Sequence, residues 1–166
     1  MAPFTHSSGS EQQDAASAWF SHEAAFAALD EAPSHRQVVM IERSAAEGSM
    51  APLHRRDEDE RYRVIEGAVT FYIGAEVITA ETGDVVVAPR GAARTFRVES
   101  GAARWRVLTR VASLQRYEDF ARAICPPVES PADGWPSPEE ESAVAAIAEA
   151  NGIELIGPPG LLPEGS

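Results

Sequence analysis

The sequence predicts a mainly β, antiparallel domain, and three observations carry that expectation. From residue 36 to residue 111 the chain breaks into short β-prone runs, RQVVMIER, RYRVIEG, AVTFYIG, EVITA, DVVVAP, RTFRVE and ARWRVLTRV. Polar and apolar side chains alternate within several of them, so that Glu60, Tyr62 and Val64 share one strand face and Val69, Phe71 and Ile73 share another. Turn formers separate the runs, at Gly67, Gly74, the Glu81-Thr82-Gly83-Asp84 segment, Pro89-Arg90-Gly91 and Ser100-Gly101, leaving very short loops. Short strands spaced in this way make a sandwich or a barrel.

The flanks have a different texture. Residues 1–18 are small and polar without periodicity and are expected to form a flexible arm. Residues 19–33 place Trp19, Phe20, Phe26 and Leu29 for a short helix or an irregular cover, ended by Pro33, so that 19–112 is the barrel with its N-terminal cover. Residues 113–166 are expected to be a helical extension packed outside. Its first helix carries Leu114, Tyr117, Phe120 and Ile124 on one side until Pro126-Pro127 stops it, and a Pro-rich polar linker follows. The second helix has Ser137 as N-cap, Pro138 in the first helical position, Glu140 closing a capping box and Gly152 past its end. Its stripe of Val144, Ile147 and Ala148 needs a partner surface, and the terminal IELIGPPGLLPEGS carries enough apolar side chains to dock part way.

A chain of 166 residues fits one domain with a core of its own. The net charge of −12 disfavours nucleic acid and anionic membrane surfaces as partners, because an acidic surface is repelled by phosphate. No apolar run approaches the roughly 18–20 residues of a membrane helix, the N-terminus has no leader pattern, and a cytoplasmic location is expected. Cys125 is the single cysteine, a small hydrophobe with no disulfide partner in the chain. Every basic side chain is Arg and none is Lys, so an Arg at any one position is partly a matter of composition.

One stretch, GSMAPLHRRDEDERYRVIEG, is spaced as a ligand motif: Gly48, His54, Glu60 and Gly67. A second frame follows at Gly83, Pro89 and Gly91. Together they resemble the two motifs of the cupin superfamily, with Arg56 standing at the second histidine of the first motif, and Arg94 and Val98 at the histidine and asparagine of the second. The resemblance covers roughly residues 36–112 and implies a single-domain, cupin-type jelly-roll β-barrel with its site in the barrel mouth, in a quercetinase-like layout. It also implies a homodimer. In metal-binding cupins three histidines and a glutamate hold iron, manganese or a similar ion. Carried over by position, this chain keeps His54 and Glu60 as ligands and has guanidinium groups, which have no lone pair to donate, at Arg56 and Arg94.

The expectation is therefore a barrel without a catalytic metal or other cofactor. Arg56 and Arg94 would hold a small anionic metabolite, His54 and Glu60 would do acid–base work, and Tyr62, Phe71 and Phe96 would line the pocket. Isomerisation, elimination or cyclisation through His54 fits that set. Two other functions stay open: an iron- or manganese-dependent dioxygenase with His54 and Glu60 as its ligands, and a noncatalytic sensor or accessory protein. A structural plug, with Glu60 ion-paired to Arg56 or Arg94 and no ligand, uses the same residues. Trp105 and Trp135 are expected to be packing residues; His6 and His22 are expected to lie outside the barrel region and His35 before its first strand, and whether one of the three completes a metal site stays open.

Overall fold

Alternation in the sequence becomes alternation in space. The structure, a computed structural model, describes residues 22–28, 37–113, 115–117, 119 and 138–166. Its strands are β1 (His22–Ala28), β2 (Gln37–Ala46), β3 (Pro52–Arg56), β4 (Glu60–Glu66) and β5 (Ala68–Ile73). They are followed by β6 (Glu76–Glu81), β7 (Val85–Ala88), β8 (Arg94–Val98), β9 (Ala102–Val111), helix α1 (Pro138–Glu149) and β10 (Ile153–Pro159). Two five-stranded sheets result, β1-β2-β9-β4-β7, here sheet A, and β10-β3-β8-β5-β6, here sheet B. All pairings are antiparallel.

Each sheet turns one apolar face inward. Val39 and Ile41 of β2, Val64 of β4 and Trp105 and Val107 of β9 meet Val69 and Phe71 of β5 and Val98 of β8 in one core, all at most 1% exposed. Aromatic contacts tie the sheets together: Tyr62 of sheet A stacks on Phe71 of sheet B with ring centroids 4.6 Å apart, and Phe96 of sheet B meets Trp105 of sheet A edge-on at 4.9 Å. Pairs of this kind contribute about 0.5–1.5 kcal/mol beyond their buried area. Gly67 turns β4 into β5 at φ +80°, and a Cβ there would lie 2.5 Å from the Ala102 carbonyl oxygen. Only glycine fits both the backbone angle and the space.

Both flanks contribute strands where helices or covers were expected. Residues 22–28 pair along β2 as an edge strand of sheet A. Residues 153–159 do more than dock: β10 adds to sheet B beside β3, with Ile153 opposite Arg56 and Leu155 opposite His54. The second helix expected in the extension is present as α1, with Val144 and Ala148 buried in the common core. Residues 115–117 are helical, and Tyr117 is buried, while the rest of the first expected helix lies outside the described residues. So do residues 1–21, Cys125 and Trp135. No helix among the described residues is long and apolar enough to cross a membrane.

Candidate functional site

The strand period places the motif residues. On β3, His54 and Arg56 are two residues apart and share a face, while Arg55 between them points out and pairs with Glu154 at 3.2 Å. Across the ladder His54 stands opposite Arg94 of β8. Glu60 and Tyr62 come from the inner face of β4 in the other sheet. Arg56, Glu60 and Arg94 are at most 4% exposed, so the cluster is a set of buried charges spanning the two sheets.

Glu60 is its centre. One carboxylate oxygen lies 3.4 Å from Arg56 Nη1, and the other lies 3.0 Å from Arg94 Nη1 and accepts from the Tyr62 hydroxyl at 2.5 Å. Burial works to raise the Glu60 carboxyl, but the fields of Arg56, Arg94 and His54 and the Tyr62 hydrogen bond more than reverse it, down to about 2. Burial and the Glu60 charge push the Tyr62 hydroxyl well above its ordinary value, so it is a neutral donor.

The two arginines differ in what else they hold. Arg94 has an acceptor at each of its three nitrogens: Nε donates to Ala92 O at 3.2 Å, Nη1 also to Ala88 O at 3.4 Å, and Nη2 to Pro89 O at 2.6 Å. It stitches the 89–93 turn to the barrel. Arg56 Nη1 donates to the Tyr117 hydroxyl at 3.3 Å and Nη2 to Arg110 O at 3.2 Å, and its guanidinium carbon lies 5.2 Å from the Tyr117 ring centroid. Its Nε, however, is buried without an acceptor among the described residues. Arg56 also borders a cleft of about 550 Å³ between β3, β10 and α1.

His54 is half-buried. Its Nδ1 lies 2.8 Å from Pro52 O, and since a carbonyl only accepts, Nδ1 is the donor and Nε2 holds the lone pair of the neutral ring. Burial lowers its pKa from 6.5 to about 4, with Arg94 and Arg56 pushing the same way and Glu60 and the Pro52 carbonyl opposing. The ring is thus neutral at pH 7, well away from the value near working pH that an unperturbed histidine has.

The structure brings His54, Arg56, Glu60, Tyr62 and Arg94 together. Phe71 and Phe96 stand in the core around them, packed on Tyr62 and Trp105. Two members carried no sequence signal of a role: Tyr117, expected only to pack, and Arg43, whose Nη2 donates to the Tyr117 hydroxyl at 3.2 Å. Arg43 shares the parity of Val39 and Ile41 on β2, which is the one trace of its inward aim in the sequence.

The donor set does not fit the divalent ion that iron or manganese cupins hold. Both oxygens of the single carboxylate are ion-paired, and two of the four ligand positions carry guanidinium, leaving His54 Nε2 as the ring donor. Among the described residues no group of three or more His, Cys, Asp or Glu side chains is gathered as a ligand set.

Two antiparallel sheets with a polar cluster between their inner faces define a small jelly-roll barrel of the single-domain kind. Residues 41–109 match the family model described as Cupin domain, so this part of the chain is a cupin domain. Among similar solved structures is the polyketide cyclase RemF from Streptomyces resistomycificus, 20% identical over 52% of this chain and 64% of that one, TM-score 0.43. Another is a mutant of the oxalate decarboxylase of Bacillus subtilis, 19% identical over 53% of this chain and 25% of that one, TM-score 0.47. A Thermus thermophilus protein is 27% identical over 51% of this chain and 81% of that one, TM-score 0.41. No curated protein matches the chain by sequence.

Proposed function

We propose that this cupin domain binds a small anionic organic metabolite at the Arg56–Glu60–His54 cluster, without a catalytic metal. One observation carries the reading: two buried guanidiniums face a single carboxylate beside a neutral histidine, leaving one positive charge in excess and one Arg56 N–H without an acceptor. Buried charge calls for a counter-charge, and a carboxylate or phosphate oxygen meets both needs at once. Arg56 is the anion contact in this reading, while Arg94, held by three backbone carbonyls, is the scaffold that fixes Glu60. His54 presents Nε2 to the ligand, and isomerisation, elimination or cyclisation would use it as the proton carrier.

A second reading, binding without turnover in a sensor or accessory role, is favoured by the lowered His54 pKa, since a ring that holds its proton only below about 4 is a weak base at neutral pH. The two readings share the ligand and differ in His54. Thermal shift of chelator-treated protein against a panel of carboxylic acids and sugar phosphates tests them, because a ligand of the folded state raises Tm by mass action. At least one acid class raises Tm, and Arg56→Met abolishes the rise. If no acid stabilises the protein, or Arg56→Met responds like the parent chain, the proposal fails. His54→Ala that loses turnover but keeps the Tm rise marks an enzyme, and equal loss of both marks a binding protein.

A further inference from the structure

The outer face of sheet A carries a concentration of charge that the barrel site does not use. Alternation directs Arg61 and Arg63 of β4 and Arg104, Arg106 and Arg110 of β9 outward, so five of the fourteen arginines of a chain with net charge −12 lie on two neighbouring strands. Glu42 and Glu66 are the acidic side chains paired there: Glu42 with Arg104 at 3.2 Å and Arg106 at 3.0 Å, Glu66 with Arg104 at 3.8 Å. Among the described residues Arg61, Arg63 and Arg110 have no ion-pair partner. Arg63 moreover stands directly opposite Arg106 in the ladder. Like charges at directly opposed positions disfavour the pairing, an effect that the Glu42 ion pair to Arg106 offsets in part, and Arg63 stays without a counter-charge among the described residues.

Apolar side chains are interleaved with the cations. Val87 lies opposite Arg61 and Val85 opposite Arg63 on the edge strand β7, 51% and 60% exposed, and Leu108 opposite Arg61 on the other side is 37% exposed. We propose that this face docks an acidic, apolar-bearing segment of a partner protein in extended conformation. Alternate residues of an extended strand repeat at about 6.6–6.8 Å, so the carboxylates of such a segment match the repeat of Arg61 with Arg63 and of Arg104 with Arg106. Its alternating apolar residues then meet Val85, Val87 and Leu108. A nucleic acid fits less well, because a long polyphosphate meets the acidic remainder of the surface and makes no use of exposed valines.

The probe is a fluorescein-labelled peptide alternating glutamate and valine, titrated with the full chain and read by anisotropy, beside its lysine-for-glutamate analogue and a single-stranded oligonucleotide. The glutamate peptide binds, the lysine peptide does not, and added salt weakens binding. Arg61→Glu with Arg63→Glu weakens it by at least about tenfold while the thermal response to metabolite acids stays intact, since both side chains are exposed on the face of β4 opposite to the cluster. The neutral pair Arg61→Gln and Arg63→Gln provides the same reading with a smaller drop should charge reversal impair folding. Absence of glutamate-peptide binding, binding unchanged in both double variants, or tighter binding of the oligonucleotide overturns the proposal.

Discussion

At the scale of single residues, Glu60 and His54 tie the acid stability of the protein to the cluster. The Glu60 carboxyl is held at about 2 against an ordinary 4.5, so its contribution is complete above about 4.5 and is lost as pH falls towards 2. His54 adds to the same slope from above. Its folded value of about 4 lies below the 6.5 of the unfolded chain, so between those values the unfolded state binds the proton first and stability falls with pH. Denaturant titrations should show stability declining from about pH 6.5 downward in the parent chain. In His54→Gln the decline between 6.5 and 4 is reduced, by on the order of 2–3 kcal/mol, and the lower limb due to Glu60 remains. An unchanged upper limb would mean that the ring is not desolvated as described. The identities at the centre of this network were legible because His54, Glu60 and the two arginines sit at motif spacings. Tyr117 and Arg43 were not, since nothing in a helix stripe or a strand parity tells which buried polar group a side chain will meet across the fold.

At the scale of elements, the strands between residues 37 and 111 other than β3 were readable as β-prone runs, while β3, whose PLHRR carries little β-prone pattern, β1 and β10 were not. HEAAFAA is rich in alanine and alternates weakly, and its pairing with β2 is a tertiary decision. IELIGPP holds Gly157, Pro158 and Pro159, which read as an end to regular structure, yet β10 is an edge strand, where proline is tolerated. Its partner β3 lies about a hundred residues earlier in the chain, a separation no local pattern reports. The β4–β5 turn is the element most sharply dictated by sequence. Gly67→Ala forces an L residue to φ +80° and drives a methyl into the Ala102 carbonyl and the Ser100 side chain. A loss of roughly 1–3 kcal/mol in urea titrations is expected, with the m-value unchanged. Gly83→Ala, whose Cβ would meet nothing within 4 Å, shares the positive φ without the collision and should cost less. Equal losses at the two glycines would show that backbone angle alone sets the requirement.

At the scale of the whole molecule, the cupin domain matched over residues 41–109 sets the barrel and leaves the chemistry to the site. The glycine and proline frame of both motifs is present at Gly48, Gly67, Gly83, Pro89 and Gly91, and the departures from the motifs, Arg56, Arg94 and Val98, fall at the polar positions between them. The change is coherent: cations stand at two ligand positions, and the remaining carboxylate is bound between them. In this reading an anion takes the part that a cation has in metal-binding cupins, and the outer surface, with the arginine face of sheet A, plays no part in that exchange. The most direct test is native mass spectrometry of protein purified gently and without added metal. The account predicts a chain free of transition metal that carries, or takes up from an acid panel, one small organic anion, and that loses it in Arg56→Met. One iron, manganese, nickel or zinc ion per chain, released when His54 or Glu60 is replaced, would contradict it.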